Sequence, residues 1–149
     1  MLYRLYNPAD FAALYAVEEA CFQPPFHFPR DYMRQLVNSP ATATWIAEQS
    51  GIMAGFAIME WTAASNGAIA YIQTVEVLPN QRGQGIATEL INRLEASARA
   101  AGAQTIWLHV DAENASAIRL YQRHGYAPED REENYYPQGR DALIYAKVL

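Results

Sequence analysis

The segment Val75-Glu76-Val77-Leu78-Pro79-Asn80-Gln81-Arg82-Gly83-Gln84-Gly85-Ile86-Ala87-Thr88 constrains the fold more than any other part of the chain. An aliphatic run reaches a proline, two glycines follow one residue apart, and a helical pattern starts at once. Ala87, Leu90, Ile91, Leu94 and Ala98 share one face of a helix predicted over Ile86–Ala101, and Gly102 stands where a C′ glycine is expected. At such a strand–turn–helix corner the first backbone N–H groups of the helix have no intrahelical partner, and the helix dipole adds partial positive charge. Glycine removes the Cβ that would keep an anion away, so the corner predicts a phosphate or pyrophosphate cradle, with Arg82 as an added charged fork. The bland alternative is an ordinary corner. No Lys-Ser/Thr pair follows the glycines and the spacing is not G-x-G-x-x-G, which excludes the two commonest nucleotide loops.

The rest of the pattern predicts a mixed α+β fold. Leu2–Leu5 reads as a strand, and Asn7-Pro8 as the cap and first position of a helix carrying Phe11, Leu14, Tyr15 and Glu18. Three prolines within Gln23–Pro29 exclude both helix and ladder there. Asp31–Val37 resumes a short helix. Thr44–Glu48 and Met53–Trp61 flank Gln49-Ser50-Gly51 as a hairpin, Asn66-Gly67 turns again, and Ala68–Leu78 forms a third long strand. Thr105–Val110, a helix over Asn114–His124 closed by Gly125, and a last strand Ala142–Val148 complete the order β-α-α-β-β-β-α-β-α-β. That order predicts a mixed, mostly antiparallel twisted sheet flanked by helices, with residues 1–149 as one domain.

Composition narrows the function. With 11 basic and 16 acidic side chains the net charge is −5, which disfavours nucleic acid, and no apolar run approaches the ~20 residues that span a bilayer. A single cysteine, Cys21, demands no oxidising compartment and reads as structural; the expectation is a cytoplasmic protein with no membrane partner, a monomer or homodimer. The three histidines lack ligand-like spacing, so no metal is expected.

Arg82-Gly83-Gln84-Gly85-Ile86-Ala87 resembles the acyl-CoA turn, (Gln/Arg)-x-x-Gly-x-(Gly/Ala), of the GCN5-related N-acetyltransferase (GNAT) superfamily. Asn114 to Tyr126 looks like the family's N-x-x-A-x-x-x-Y-x-x-x-G-(Phe/Tyr) helix, in the right order behind it. The resemblance implies the GNAT fold, acetyl-CoA as co-substrate, and a cofactor site of Val75, Val77, Arg82, Gly83, Gln84, Gly85, Ile86, Ala87, Thr88, Asn114 and Tyr121. Asn134-Tyr135-Tyr136-Pro137 followed by Gly139-Arg140-Asp141-Ala142 is similar to the tail of protein N-terminal acetyltransferases of the ribosomal-protein-alanine type. This implies a hairpin in which Tyr135 and Tyr136 close over the acceptor, with Phe22 and Phe26 as the opposite wall. It also implies a protein or peptide N-terminus, a ribosomal protein among the candidates, as partner.

One position departs from that bacterial type, which usually carries glutamate in its Leu-Glu-Val strand. Leu108-His109-Val110 and Tyr71-Ile72-Gln73-Thr74 look instead like the eukaryotic NatE-type catalytic subunit. The resemblance implies His109 as the base, taking the proton directly or through water, with Tyr71 holding that water or the amine and Tyr121 protonating the departing thiolate. A mild base suffices for an α-amine, whose pKa near ~8 leaves roughly a quarter neutral at pH 7.4; a lysine near ~10.4 is about 0.1% neutral. As an isolated residue His109 would read as structural; Glu129–Glu133 reads as a solvated loop. Two rivals stay open: a small-amine acetyltransferase of the same fold, and an acyl-CoA-binding module without turnover.

Overall fold

The computed structural model describes all residues, Met1–Leu149. Its elements are β1 (Leu2–Leu5), α1 (Phe11–Cys21), α2 (Arg30–Asn38), β2 (Thr42–Gln49), β3 (Ile52–Ala64), β4 (Gly67–Val77), α3 (Ile86–Ala100), β5 (Ala103–Asp111), α4 (Ala115–Arg123), β6 (Ala127–Tyr136) and β7 (Arg140–Val148). The strands form one seven-stranded sheet in the order β1-β2-β3-β4-β5-β7-β6. Every neighbour pair is antiparallel except β4 with β5. The mixed, mostly antiparallel sheet read from the sequence is therefore the observed one.

Side-chain alternation gives the sheet two apolar faces. Ala57 and Met59 of β3, Ala70 and Ile72 of β4, and Ile106 and Leu108 of β5 pack with Ile86, Leu90, Ile91, Leu94 and Ala98 of α3 and Tyr121 of α4. Their odd-and-even counterparts Phe56 and Ile58 pack on the opposite face with Leu14, Tyr15, Met33 and Leu36 of α1 and α2. A period of two in the strands and of 3.6 in the helices produces both layers. The first helix enters through a capping box: Asn7 accepts from the Ala9 N–H, and Asp10 accepts from the Asn7 N–H. Residues Pro8–Asp10 wind as a 3-10 turn, so the α-helix begins at Phe11, later than the Pro8 start expected. Arg4 on β1 forks onto Asp10 with two contacts of 2.8 Å and reaches Glu48 of β2, tying the edge strand to that turn.

Two irregularities open the sheet. The β4–β5 ladder ends at Ile72↔Leu108, although β4 continues to Val77 and β5 to Asp111. Opposite it, the β3–β4 register slips between Ile58 and Met59, where Gln73 is the extra residue. Beyond Ile72 the two parallel strands part, leaving a wedge through the sheet.

The element not expected is β6. Glu129–Glu133 lies within a strand, not a solvated loop; the run is fully exposed but laddered to β7. An edge strand with solvent on both faces carries no apolar alternation, so the signal that reveals the other strands is missing. The register slips between Glu132 and Tyr136, with Asn134 at φ 54°; its N–H donates to Asp141 Oδ1 at 3.0 Å. This bulge swings Tyr135 back over β5.

Candidate active site

The glycine corner folds as its sequence dictates. Gly83 and Gly85 hold φ values of 80° and 78°, the left-handed region that glycine enters without strain. A Cβ at either position would meet open space, so the backbone here faces outward into room for a ligand. Gly85 is the N-cap of α3 and offers no side chain to satisfy the first-turn N–H groups. Beside it lies a cavity of about 530 Å³ lined by Val75, Val77, Arg82, Gly83, Gly85, Ile86, Ala87, Thr88 and Asn114 among others. These residues fit an elongated phosphorylated cofactor: unpaired donors at a helix start, a surface without Cβ atoms, and a long trough leading away.

Of the expected cofactor residues, Gln84 alone of the Arg82–Thr88 turn does not line this trough; its amide donates to Gln81 instead. Gln84 projects from the corner between two glycines whose left-handed backbone turns it outward. Arg82 lines the trough but spends its Nε on the Val77 carbonyl at 3.0 Å, which ties the end of β4 to the corner. Cys21 donates to the same carbonyl at 3.5 Å, and burial, then the Glu76 charge, pushes its thiol up to about 11. A thiol held protonated is a weak nucleophile, in keeping with a structural role.

The wedge between β4 and β5 forms a second cavity of about 530 Å³. It shares Val75 and Asn114 with the trough and brings together His109, Tyr121, Tyr136, Phe22 and Phe26. Tyr121 reaches it from α4. Burial pushes its phenol well above the ordinary tyrosine range, so it keeps its proton until a strong negative charge develops beside it. Arg140 pairs with Asp111 at 3.0 Å and lies 5.1 Å from the Phe26 ring centre, fastening the start of β7 to the α1–α2 loop.

His109 and Tyr71 sit on the α1/α2 face of the sheet. The Tyr71 hydroxyl lies 2.7 Å from His109 Nδ1, and His109 Nε2 lies 3.0 Å from Glu132 Oε1. A carboxylate has no proton to give, so in the neutral imidazole Nε2–H donates to Glu132, and Nδ1 accepts from Tyr71. Burial first, and the neighbouring Tyr135 second, raise the Tyr71 phenol well above its usual range, so it stays a neutral hydroxyl rather than a phenolate. Tyr135 stacks on the imidazole with ring centres 4.1 Å apart and planes 9° from parallel, and Tyr136 stands edge-on to it. Chemically, this is a proton acceptor whose Nδ1 is bonded to the Tyr71 hydroxyl, stacked under the Tyr135 ring.

The expected site residues thus fall on two sides of the wedge. Val75, Phe22, Phe26, Tyr121, Tyr136 and His109 share one cavity; Tyr71 and Tyr135 meet His109 from its far side, in a shallower cavity of about 320 Å³. Sequence reasoning missed the Glu132 contact, since it treated that run as loop. It also missed Trp107, which the strand period places on the His109 face and whose ring centre lies 4.5 Å from that of Tyr71.

Known proteins carry the same arrangement of elements. The family model described as Acetyltransferase (GNAT) family matches residues 11–126. The chain is 37% identical over 101 residues to the [ribosomal protein bS18]-alanine N-acetyltransferase of Escherichia coli K12, a match spanning 66% of each, just under two thirds of that relative's length. The crystal structure of the ribosomal-protein-S18-alanine N-acetyltransferase from Escherichia coli superposes with a TM-score of 0.86 at 27% identity, covering 99% of this chain and 92% of that one. Arabidopsis thaliana NAA60 in complex with acetyl-CoA shares the fold at a TM-score of 0.85 and 23% identity, over 99% and 98% of the two chains.

Proposed function

This chain belongs to the acetyltransferase (GNAT) family, and from that premise we propose that it transfers acetyl from acetyl-CoA to the α-amine of a protein or peptide N-terminus. The observation that carries this reading is the position of the Tyr71–His109 pair. His109 lines both the wedge cavity, which meets the trough at Val75 and Asn114, and the cavity that holds Tyr71 and Tyr135. The name of the Escherichia coli relative, a [ribosomal protein bS18]-alanine N-acetyltransferase, supports a protein acceptor of that class.

The residues divide the work as follows. Gly83, Gly85 and the first turn of α3 hold the pyrophosphate, Thr88 lines the trough beside them, and Asn114 borders both trough and wedge. Acetyl-CoA, when bound, supplies an acyl carbon already activated as a thioester. Backbone N–H groups over Val75–Val77, freed where the ladder ends, polarise its carbonyl. Tyr71 accepts a hydrogen bond from the acceptor amine, takes its proton as the N–C bond forms, and passes its own to His109 Nδ1. Glu132 compensates the imidazolium that results. Tyr121 gives its proton to the sulfur as the C–S bond breaks. No covalent enzyme intermediate is needed. Phe22, Phe26, Tyr135 and Tyr136 exclude water and narrow the approach to a chain end, where the amine has only one substituent chain to accommodate.

The test is mass spectrometry of residues 1–149 with acetyl-CoA and three acceptor sets: peptides with free α-amines, α-blocked lysine peptides, and small amines. Acetylation of α-amines, Ala-starting peptides foremost, is the expected result. Turnover on small amines alone would refute the proposal in favour of the first rival. Acetyl-CoA binding without turnover on any amine would favour the second.

A further inference from the structure

The cavity on the far side of His109 has a lining that N-terminal acetylation alone does not require. Its walls are Tyr32, Tyr71, Trp107, His109 and Tyr135, with Glu60, Gln73, Thr62 and Ile69, and neither lysine nor arginine lines it. The sheet register builds it. Glu60 of β3 pairs with Tyr71 of β4, and Tyr71 pairs with Trp107 of β5, so the three side chains form one row across the same face. The buried layer under α1 and α2 includes Ile58 and Phe56, and α2 reaches the row only through the half-exposed Tyr32.

Glu60 is half-buried yet fixed. Gln73 Nε2 donates to its Oε1 at 2.6 Å, and the Gln73 carbonyl accepts from the Tyr32 hydroxyl at 3.3 Å. That chain holds the Glu60 carboxylate in the same cavity as the rings of Tyr32, Tyr71, Trp107 and Tyr135. Aromatic faces carry negative quadrupoles and a carboxylate carries a full negative charge, so the cavity repels anions and gains energy only when a cation enters. We propose that this cavity binds the side chain of a lysine or arginine at the second or third residue of the acceptor, making Glu60 a determinant of specificity. Two strand spacings of ~4.8 Å separate Glu60 from Trp107 with Tyr71 between them. An amine at the Tyr71 hydroxyl therefore leaves the next residues of its chain within reach of Glu60 for a long basic side chain. The inference rests on the proposed α-amine reading for the identity of the occupant.

The experiment separates the two. Binding of Nα-acetylated product pentapeptides with Arg, Lys, Gln or Glu at position two or three is measured by calorimetry, with the Trp107 indole N–H followed by NMR. In parallel, the free-amine versions are assayed for turnover. The wild type is expected to bind the Arg or Lys peptide at least ten-fold more tightly than the Gln peptide, about 1.4 kcal/mol, with a shift at Trp107. Glu60→Gln keeps the shape and the Gln73 contact, and should reduce that preference to within two-fold. Glu60→Lys should turn it toward the Glu peptide. Equal affinities in the wild type, or a basic preference surviving Glu60→Gln, overturns the inference whether or not turnover is seen. Absence of α-amine turnover overturns the proposed function and leaves the binding result to decide on the cage.

Discussion

Replacing Tyr71 by Phe and His109 by Gln, singly and together, tests whether the two side chains form one proton path. Each change breaks the 2.7 Å contact between the Tyr71 hydroxyl and Nδ1. General-base assistance is worth about 10²–10⁴ in rate, so if both side chains serve one path, either single change should lower kcat about 10²-fold. At 1.36 kcal/mol per decade that is about 2.7 kcal/mol each, and independent effects would sum to about 5.4 kcal/mol, or 10⁴-fold. A shared path predicts instead that the double variant is no slower than the worse single one, a coupling of roughly 2.7 kcal/mol. The assay is steady-state acetylation of a free α-amine peptide at saturating acetyl-CoA. Tyr71→Phe also leaves Nδ1 unpartnered on a side chain only 8% exposed, at a cost of about 1–3 kcal/mol. A matching fall in Tm is expected and is read separately by calorimetry. Multiplicative losses in kcat would refute the relay and make Tyr71 and His109 separate contributors.

Three further outcomes follow from the geometry. Gly85→Ala forces an L residue to φ 78° without any steric clash, so it should cost about 1–2 kcal/mol of stability and raise the KM for acetyl-CoA, whereas Gly55→Ala puts a Cβ against the Glu76 carbonyl and should disrupt the β3–β4 ladder outright; chemical denaturation of both variants ranks them. Glu76 is held well above the ordinary carboxylate range by burial first and by the Glu18 carboxyl second, so its contribution is complete below the unfolded carboxyl pKa of ~4.3 and drains away as pH rises toward the folded value, at most about 1.36 kcal/mol per pH unit. Glu76→Gln should therefore gain in Tm over the wild type as pH goes from 4 to 7, and a pH-independent difference would contradict this. Lys147→Met leaves Glu95, which is 4% exposed, with only the Tyr126 hydroxyl and an Arg99 nitrogen at 3.9 Å; urea unfolding should show a loss of about 3–5 kcal/mol, partly recovered in the Glu95→Gln/Lys147→Met double variant.

The sequence is most legible where one element's period is strong and its ends are punctuated. α3 combines a clean apolar stripe with Gly85 before it and Gly102 after it, and its observed span ends one residue from the expected one. The glycine corner is equally readable, because two glycines one residue apart before a helical pattern suit the left-handed backbone that Gly83 and Gly85 adopt. β6 was hidden because an exposed edge strand of mixed charge looks like a loop, and with it went the Glu132 contact to His109. The Gln73 bulge and the end of the β4–β5 ladder leave no local signature, since both depend on which strand lies alongside. The Glu60–Tyr71–Trp107 row was invisible for the same reason: it exists only once the register across three strands is set.

β6 leaves one full row of backbone donors and acceptors open to solvent, a template on which another extended chain can add itself as an eighth strand. Such an edge risks capturing another extended chain, or a second copy of the protein, as sheet. Glu129, Asp130, Arg131, Glu132 and Glu133 all stand exposed there, and two register slips break the strand into lengths too short to template a ladder. The charges that conceal β6 from sequence reading are thus also of the kind that disfavour edge-to-edge pairing along it.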